Sequence, residues 1–280
     1  MLDNWNNNNP LVINLHLTNR CNMNCLFCFG KFKQSDSELS YNNWLKIIEL
    51  IYNDVKHLPN RRLNFAGGEP LLLHYVSDLL DYAKKLGFKT SIITNGSLLT
   101  ENFLNKNANV LDVVGISIDS LDYYTNVKSG RRLGKAPLSE EDYIKLCQLV
   151  KTYNIKLKVN TVVHKFNYNK SLAKLLDNVT VDRYKILRMV NISNENNGSE
   201  FLLPSDEEFN IFVNEHKRFN PVIEDSGDMI ASYIFISPNG DLMDNSCNQF
   251  KYDNNILEKG FKNAFHSIHL EIGAYCKKYK

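Results

Sequence analysis

The residues with the clearest capacity for chemistry are three cysteines within eight positions of one another. Cys21, Cys25 and Cys28 have the spacing C-x3-C-x2-C, and they follow an apolar run, Leu11–Leu17, that predicts a first strand. Thiolates are soft ligands that favour iron–sulfur clusters or zinc. Three thiolates on a four-iron cluster leave one iron open, whereas electron-transfer clusters normally have four cysteine ligands. The spacing therefore predicts a metal centre with an open coordination position.

Two other interpretations of these cysteines stay open at this point. Free cysteines are often buried as small apolar side chains, and His16 could complete a zinc site with the three thiols. Zinc sites usually combine two ligand pairs, however, and the sequence has no evident second pair. The remaining cysteines, Cys147, Cys247 and Cys276, are scattered, and we expect structural thiols there rather than a disulfide framework.

Polar residues also follow the predicted second and fourth strands. Gly67, Gly68 and Glu69 precede a proline in a turn where glycine would let the backbone approach a ligand closely, although an ordinary strand-to-helix turn has the same composition. Ser117 ends the fourth strand and Arg131 follows it. A hydroxyl and a guanidinium suit a carboxylate ligand, while charge alone would favour a solvated loop arginine.

Basic residues are spaced so that they share strand faces. Arg183 and Lys185 are two positions apart at the sixth predicted strand, which places both side chains on one face. Lys158 lies on the fifth predicted strand, Lys156–Val163. Three cations that converge in this way suit a polyanion, although a lone Arg-x-Lys more often marks a solvated strand edge.

These residues are carried by a repeated strand–helix pattern. Predicted strands and helices alternate from Leu11 to Val190, and such alternation predicts a parallel sheet with right-handed crossovers. Six units are fewer than the eight of a closed barrel, so the alternation alone predicts either a partial barrel or an open doubly wound sheet. The predicted elements are Leu11–Leu17, Arg62–Phe65, Lys89–Thr94, Asp112–Ile118, Lys156–Val163 and Tyr184–Val190 as strands, with Tyr41–Val55, Tyr75–Leu86, Glu101–Asn105, Glu140–Tyr153 and Ser171–Leu176 as helices.

The pattern changes after Asn191. A helix is predicted at Pro204–His216 and a hairpin at Pro238-Asn239-Gly240, between Met229–Ser237 and Asp241–Met243. Ile256–Phe265 predicts a final amphipathic helix. We expect residues 1–190 to form the core and residues 191–280 to form an extension that packs on the strand ends and covers the barrel mouth, as one structural unit.

Composition limits the possible classes of protein. The 280 residues are 43% hydrophobic and 23% charged, which is enough apolar content for a real core and excludes wholesale disorder. A net charge of +2 argues against a nucleic-acid coat protein. The polar, asparagine-rich start and the lack of a long apolar run predict a cytoplasmic protein with no membrane segment.

The cysteine spacing, together with the Gly-Gly-Glu-Pro turn, resembles the radical S-adenosylmethionine enzymes. This resemblance implies an α/β fold, a partial (β/α)6 barrel of the radical S-adenosylmethionine type with a C-terminal extension. It also implies a [4Fe-4S] cluster on Cys21, Cys25 and Cys28, with S-adenosylmethionine on the open iron. The reduced cluster would cleave that cofactor to methionine and a 5′-deoxyadenosyl radical. The implied cofactor-binding residues are Gly67, Gly68, Glu69, Ser117 and Arg131.

Further segments narrow the resemblance to the viperin family, chiefly its prokaryotic members. They are Asn14–Thr18, Cys28-Phe29, Leu63–Pro70, Ile116–Ser120, Gly130-Arg131, Lys158–Val163, Arg183–Lys185 and Gly240–Asn245. The resemblance implies that a nucleoside triphosphate, CTP, GTP or UTP, is converted to its 3′-deoxy-3′,4′-didehydro form, an antiviral chain terminator. It also implies an external reductant such as flavodoxin or ferredoxin. The implied substrate-binding residues are Lys158, Arg183 and Lys185 for the triphosphate, Asn14, His16 and Asn160 for ribose or base, and Arg62 for a further phosphate contact.

Two other functions remain as alternatives. One is a different radical S-adenosylmethionine enzyme, for peptide modification or cofactor biosynthesis, although such enzymes often carry further C-terminal cysteine clusters. The other is a non-catalytic iron–sulfur protein that senses nucleotide or redox state. The viperin family's Gly-Gly-Lys-Tyr tail is not recognisable in Ala274–Lys280, where Tyr275 and Tyr279 stand instead.

Overall fold

The computed structural model describes residues 2, 5–31, 37–247 and 249–279, and strands in these residues form one ten-stranded sheet. Met1, Asp3, Asn4 and Lys280, at the ends of the predicted core and extension, lie outside this set. The strands are β1 Leu11–His16, β2 Arg61–Ala66, β3 Lys89–Thr94, β4 Val113–Ser117, β5 Lys156–Val163, β6 Arg183–Arg188, β7 Val222–Glu224, β8 Phe235–Ile236, β9 Leu242–Cys247 and β10 Gln249–Lys251.

The sheet is open and mostly parallel, as the strand–helix alternation predicts. Its order is β10-β9-β8-β1-β2-β3-β4-β5-β6-β7, so β10 and β7 are unjoined edges. Strands β1 to β7 run parallel, β8 is parallel to β1, and β9 is antiparallel to both of its neighbours. The prediction of a partial barrel is therefore confirmed.

Helices alternate with the parallel strands and also follow the last strand. They are α1 Tyr41–Val55, α2 Val76–Lys85, α3 Glu101–Asn107, α4 Tyr123–Ser129, α5 Glu140–Thr152, α6 Ala173–Asn178, α7 Asp206–His216, α8 Ile256–Lys259, α9 Phe261–His266 and α10 Ile272–Tyr279. In α1, the Ser40 hydroxyl accepts a hydrogen bond from the Asn43 N–H, and a stripe that includes Trp44, Ile47 and Ile51 is fully buried. Burial of each such side chain contributes roughly 1.5–3 kcal/mol. Within the described residues, no helix is long and apolar enough to cross a bilayer.

Strand β5 shows how the sheet separates its two faces. Leu157, Val159 and Val163 are fully buried in the main apolar core, whereas Lys158 and Asn160 are less buried on the alternate face. Successive strand residues point to opposite faces. The polar residues of β5 therefore face the concave interior of the sheet.

The C-terminal region differs from the prediction. Strand β7 extends one sheet edge beside β6, while β8 and β9 extend the other beside β1. The single helix predicted at Ile256–Phe265 is wrong because Gly260, with a φ of 75°, separates α8 from α9. The predicted strand Met229–Ser237 is reduced to β8. The division near residue 190 stays a prediction.

Two further helices lack a counterpart in the sequence prediction. Helix α4 begins at an Asp122 cap whose carboxylate accepts a hydrogen bond from the Thr125 N–H at 2.9 Å. Helix α10 lies at the amino ends of β1 and β6: the Tyr275 hydroxyl accepts from the Val12 N–H at 2.5 Å, and Arg183 donates to the Lys278 carbonyl. Four strands separate β1 from β6 in the sheet. One helix reaches both because the sheet curves.

Candidate active site

The loop that carries the three cysteines follows β1 and is fixed by its backbone. The Leu26 N–H donates to the Ser129 carbonyl at 2.9 Å, and the Asn24 N–H donates to the Gly130 carbonyl at 3.3 Å. Gly130 has a φ of +80°, and a Cβ there would lie 2.1 Å from the Asn24 carbonyl oxygen. Only glycine therefore allows the end of α4 to pack this closely on the cysteine loop.

The three thiols share one electrostatic environment. Burial raises the pKa of Cys25 to about 12, the Arg131 guanidinium opposes this shift, and Cys28 and Cys21 add to it. Burial likewise raises the pKa of Cys21 and of Cys28, and Arg131 opposes the rise in both. Because metals bind the thiolate, a bound cation must displace these protons.

The donor set of this loop fits an iron–sulfur cluster better than a closed zinc site. Across residues 5–31, 37–247 and 249–279, no three Cys, His, Asp or Glu side chains are already arranged as metal ligands, and this holds for the three thiols themselves as well as for His16 with them. His16 lies on β1 and its ring packs edge-on against Phe235 at 5.1 Å. Burial lowers the pKa of His16 to about 3, so the ring is neutral near pH 7. Three thiols on one loop match the soft ligands of a cluster with an open iron.

The Gly-Gly-Glu-Pro turn is joined directly to the cysteine loop. The Gly68 N–H donates to the Thr18 carbonyl at 2.7 Å, and the Glu69 N–H donates to the Arg20 carbonyl at 2.9 Å. A Cβ on Gly68 would lie 2.1 Å from the Arg20 carbonyl oxygen, and one on Gly67 would lie 2.6 Å from that of Thr18. In this structure the glycines permit close approach of two backbones. Their contact with a cofactor stays a prediction.

Glu69 organises the neighbouring strand ends. It is fully buried, and its carboxylate accepts hydrogen bonds from the Leu71 N–H at 3.1 Å, the Thr94 hydroxyl at 2.8 Å and the Asn95 N–H at 2.8 Å. Burial raises the pKa of Glu69, and these hydrogen bonds oppose that rise. Its carboxylate therefore already has three donors, and its predicted role toward the cofactor stays a prediction.

Asn95 links this network to the first cysteine. Its amide donates to the Asn22 side chain at 2.9 Å and lies 3.8 Å from the Cys21 sulfur. Sequence reasoning placed neither asparagine in the site. The available signal was the Thr94-Asn95-Gly96 turn at the carboxyl end of β3, where ligand sites lie in parallel α/β folds.

Arg131 is buried, so the alternative of a solvated loop arginine is wrong. Its Nε donates to the buried Asp119 carboxylate, and its guanidinium lies 5.6 Å from the centre of the Phe27 ring. Burial alone would lower the pKa of Arg131, but Asp119 and then Cys25 raise it overall. Ser117 contributes its carbonyl, which accepts from Arg131 at 3.3 Å. Sequence reasoning missed Asp119, whose partner is distant in the chain.

The predicted phosphate cations do come together, on the interior face near the amino ends of their strands. Strand register places Lys158 beside Arg183 and Asn160 beside Lys185. Burial lowers the pKa of Lys158 well below its usual value, and Lys185, Arg183 and Arg62 lower it further. Within the part of the chain that the structure describes, Lys158 has no hydrogen bond or ion pair. The site thus holds a basic side chain with no direct partner, whose charged form is disfavoured by burial and by neighbouring cations and favoured by Glu224.

Lys185, in contrast, is already paired. It forms an ion pair with Glu224 and donates to the Tyr233 hydroxyl at 2.6 Å. Lys278 of α10 reaches the other oxygen of Glu224 at 3.0 Å. Sequence reasoning missed Glu224, Tyr233 and Lys278, because no motif marks an edge strand or a terminal helix as part of an interior site.

Polar side chains line the interior beside these cations. The Asn64 amide donates to the Asn14 side chain at 2.9 Å, and Asn14 donates to the Ile234 carbonyl at 3.0 Å. The side-chain oxygen of Asn160 is buried with no partner among the described residues. Asn14 and His16 are two positions apart on β1 and so face the same interior. The concave face therefore joins the cysteine loop at the strands' carboxyl ends to the cations near their amino ends.

Replacing Gly68 with alanine is expected to lower the free energy of unfolding by about 1–3 kcal/mol, because the added Cβ forces the two joined turns apart. The amount of iron bound after anaerobic reconstitution should also fall in this variant. Thermal unfolding and iron analysis measure both effects. Gly273→Ala is the matched control, since a Cβ there has no heavy atom within 4 Å. Equal behaviour of the two variants would contradict this account of the turn.

Sequence and structure comparisons find related proteins over most of the chain. The Radical SAM superfamily matches residues 15–179. An S-adenosylmethionine-dependent nucleotide dehydratase from Lacinutrix mariniflava is 35% identical over 271 residues, which cover 95% of this chain and 57% of that relative. The chain thus spans little more than half of that protein. A protein of the same name from Flammeovirga pacifica is 34% identical over 261 residues, 91% of this chain and 90% of the relative.

A solved structure shares the fold. Streptococcus suis SuiB bound to S-adenosylmethionine superposes with a TM-score of 0.68 at 20% identity, over 95% of this chain and 68% of that chain. At this identity the similarity concerns architecture alone.

Proposed function

This chain belongs to the Radical SAM superfamily and, within it, to the family of S-adenosylmethionine-dependent nucleotide dehydratases, and on that premise we propose that it converts a nucleoside triphosphate to its 3′-deoxy-3′,4′-didehydro form. Membership in the superfamily implies S-adenosylmethionine and an iron–sulfur cluster as cofactors. The observation that carries the choice of substrate is the interior cation group formed by Arg62, Lys158, Arg183 and Lys185, of which Lys185 is buried and the other three are half-buried. These cations face the same concave interior as the cysteine loop.

Cys21, Cys25 and Cys28 would hold the cluster, and a set of three thiolates favours a [4Fe-4S] form. When bound, the cluster supplies the electron that cleaves S-adenosylmethionine to methionine and a 5′-deoxyadenosyl radical. Arg131 holds positive charge beside all three sulfurs and so favours their thiolate forms. Asp119 in turn keeps the guanidinium in place.

The S-adenosylmethionine site would lie at the carboxyl edge of β1 to β4. There the turn of Gly67, Gly68 and Glu69 is fixed against the cysteine loop, and Ser117 ends the neighbouring strand β4. We assign the amino group of the cofactor to the glycine turn and its carboxylate to the side of Ser117 and Arg131. The close backbone packing supports this assignment, because it holds the glycine turn in a fixed position against the cysteine loop.

The substrate would lie along the concave interior. Lys158, Arg183, Lys185 and Arg62 would bind the triphosphate, because phosphate oxygens supply the counter-charge that Lys158 lacks. Asn14, His16 and Asn160 would contact ribose or base, and the unpartnered oxygen of Asn160 can accept from a hydroxyl. His16 is neutral and can therefore contact ribose or base without adding charge to the site.

The proposed reaction is a dehydration that balances with one external reductant. The ribose loses its 4′ hydrogen atom to the 5′-deoxyadenosyl radical, which becomes 5′-deoxyadenosine. The substrate radical then takes up one electron and one proton as the 3′ hydroxyl leaves as water. Flavodoxin or ferredoxin would supply electrons both for cleavage and for this step. The product lacks a 3′ hydroxyl and would terminate a growing nucleic acid, and an antiviral role is therefore part of this proposal.

The test is anaerobic reconstitution with iron, sulfide, a reductant and S-adenosylmethionine, followed by addition of CTP, GTP or UTP. We expect one of these nucleotides to raise the rate of 5′-deoxyadenosine formation well above the rate without nucleotide. The matching nucleoside without phosphates is the control, and it should give no increase because the cation group has no phosphate to bind. If no nucleotide raises the rate, the proposed substrate class is wrong.

A further inference from the structure

One buried carboxylate lies within the cation group. Glu224 ends the edge strand β7 and is 2% exposed. One oxygen pairs with Lys185 and the other with Lys278, and the Tyr233 hydroxyl donates to the same carboxylate. A carboxylate that receives two ammonium groups and a hydroxyl has the ligands that a phosphate oxygen would take.

The charges around Glu224 remain unbalanced. Among the described residues, five basic side chains lie in the interior around this one carboxylate, and they are Arg62, Lys158, Arg183, Lys185 and Lys278. Burial lowers the pKa of Lys158, Lys185 and Lys278, and Glu224 opposes the shift in all three, so the charged forms of these lysines are disfavoured without a further anion. A fully ionised triphosphate carries about four negative charges. A triphosphate would therefore supply negative charge to basic side chains that Glu224 alone does not neutralise.

Glu224 and a bound phosphate would compete for the same ammonium groups. Buried cations need a counter-ion, and Glu224 supplies one for Lys185 and Lys278 when no nucleotide is present. A phosphate group that binds these lysines must weaken their contacts with Glu224. The binding energy that the nucleotide gains is reduced by the contacts that it replaces.

We propose that Glu224 is a specificity-determining residue, an internal anion that competes with the substrate phosphates for Lys185 and Lys278 and so limits nucleotide affinity. This inference rests on the proposed function, because it assumes that phosphates bind in this interior. It assigns to the last helix a direct part in binding through Lys278. It also gives the edge strand β7 a role that its short length alone would not suggest.

The test measures binding of inorganic tripolyphosphate, and of a nucleoside tri-, di- and monophosphate, to the reconstituted holoenzyme and to Glu224→Gln. Removal of the competing charge should tighten triphosphate binding by about tenfold, with a smaller gain for each phosphate removed. Glu207→Gln is the control, because Glu207 is exposed on α7 and its loss makes the same change in net charge. Only the Glu224 variant should show a gain that depends on phosphate number.

Each outcome has a distinct meaning. If wild-type protein binds nucleoside triphosphate and Glu224→Gln binds it no more tightly, Glu224 is only a structural ion-pair partner and the inference is overturned. If neither protein binds any phosphate compound, the proposed function itself fails. Should Glu224→Gln not fold, Glu224→Asp keeps the charge but shortens the side chain, so that it cannot reach both lysines. An intermediate gain is then expected, and unchanged affinity would again overturn the inference.

Discussion

Cys25→Ser is expected to abolish iron–sulfur cluster assembly and to reduce S-adenosylmethionine cleavage to the uncatalysed background. A serine hydroxyl does not replace a soft thiolate ligand, so the remaining two cysteines cannot hold the cluster. Cys25 and Arg131 also act on each other electrostatically, because each shifts the pKa of the other. Iron and sulfide content, visible absorbance and 5′-deoxyadenosine yield measure the effect.

Cys247→Ser is the matched control. Cys247 is an exposed free thiol on β9 and is not part of the cysteine loop. This variant should bind the same amount of iron as wild type and keep its activity. Full iron content in Cys25→Ser, or equal loss in both variants, would contradict the assignment of the cluster to the loop.

Lys158→Met is expected to change substrate affinity and stability in opposite directions. The methionine keeps most of the side-chain volume but removes an ammonium group that has no ion pair among the described residues and whose pKa burial lowers. Loss of a charged hydrogen bond to phosphate should weaken triphosphate binding by roughly 1.5–3 kcal/mol. Removal of an ammonium group whose charged form is disfavoured by the folded state should raise the melting temperature of the nucleotide-free protein.

Lys145→Met is the control for this pair of measurements. It removes one cation from the exposed face of α5, where Lys145 pairs with Glu141. Neither nucleotide affinity nor melting temperature should change appreciably, because exposed pairs contribute little. Unchanged triphosphate affinity in Lys158→Met would reject its assignment. Lys185→Ala should also weaken binding with the cluster intact, but it leaves Glu224 with one cation fewer and so combines two effects.

The local elements of the fold follow from the sequence because their signals are local. Strands β3 and β5 and helix α1 have the predicted bounds. Burial alternates along β5, and Ser40 caps α1 directly before its first residue, so both signals are local. The C-terminal region has no such signal. Strand β8 is only two residues long and is defined by its pairing with β1, more than two hundred residues away. A pattern within one segment cannot predict that pairing.

The same distinction applies to the site. The cysteine spacing and the Gly-Gly-Glu-Pro turn are contiguous, so the sequence predicts them directly. Contacts that set the charges are not contiguous: Arg131 pairs with Asp119, and Lys278 pairs with Glu224 across 54 positions. The sequence therefore predicts which cations gather but not which of them are already neutralised. This difference makes Lys158, rather than Lys185, the clearest position to test.

The most direct measurement of the central claim uses a nucleoside triphosphate with deuterium at the ribose 4′ position. The reconstituted enzyme is incubated anaerobically with reductant, S-adenosylmethionine and the nucleotide that stimulates cleavage, and both products are analysed by mass spectrometry. The account predicts deuterium in 5′-deoxyadenosine and a nucleotide product that has lost that deuterium together with its 3′ hydroxyl. Unlabelled 5′-deoxyadenosine with an unchanged nucleotide would contradict it.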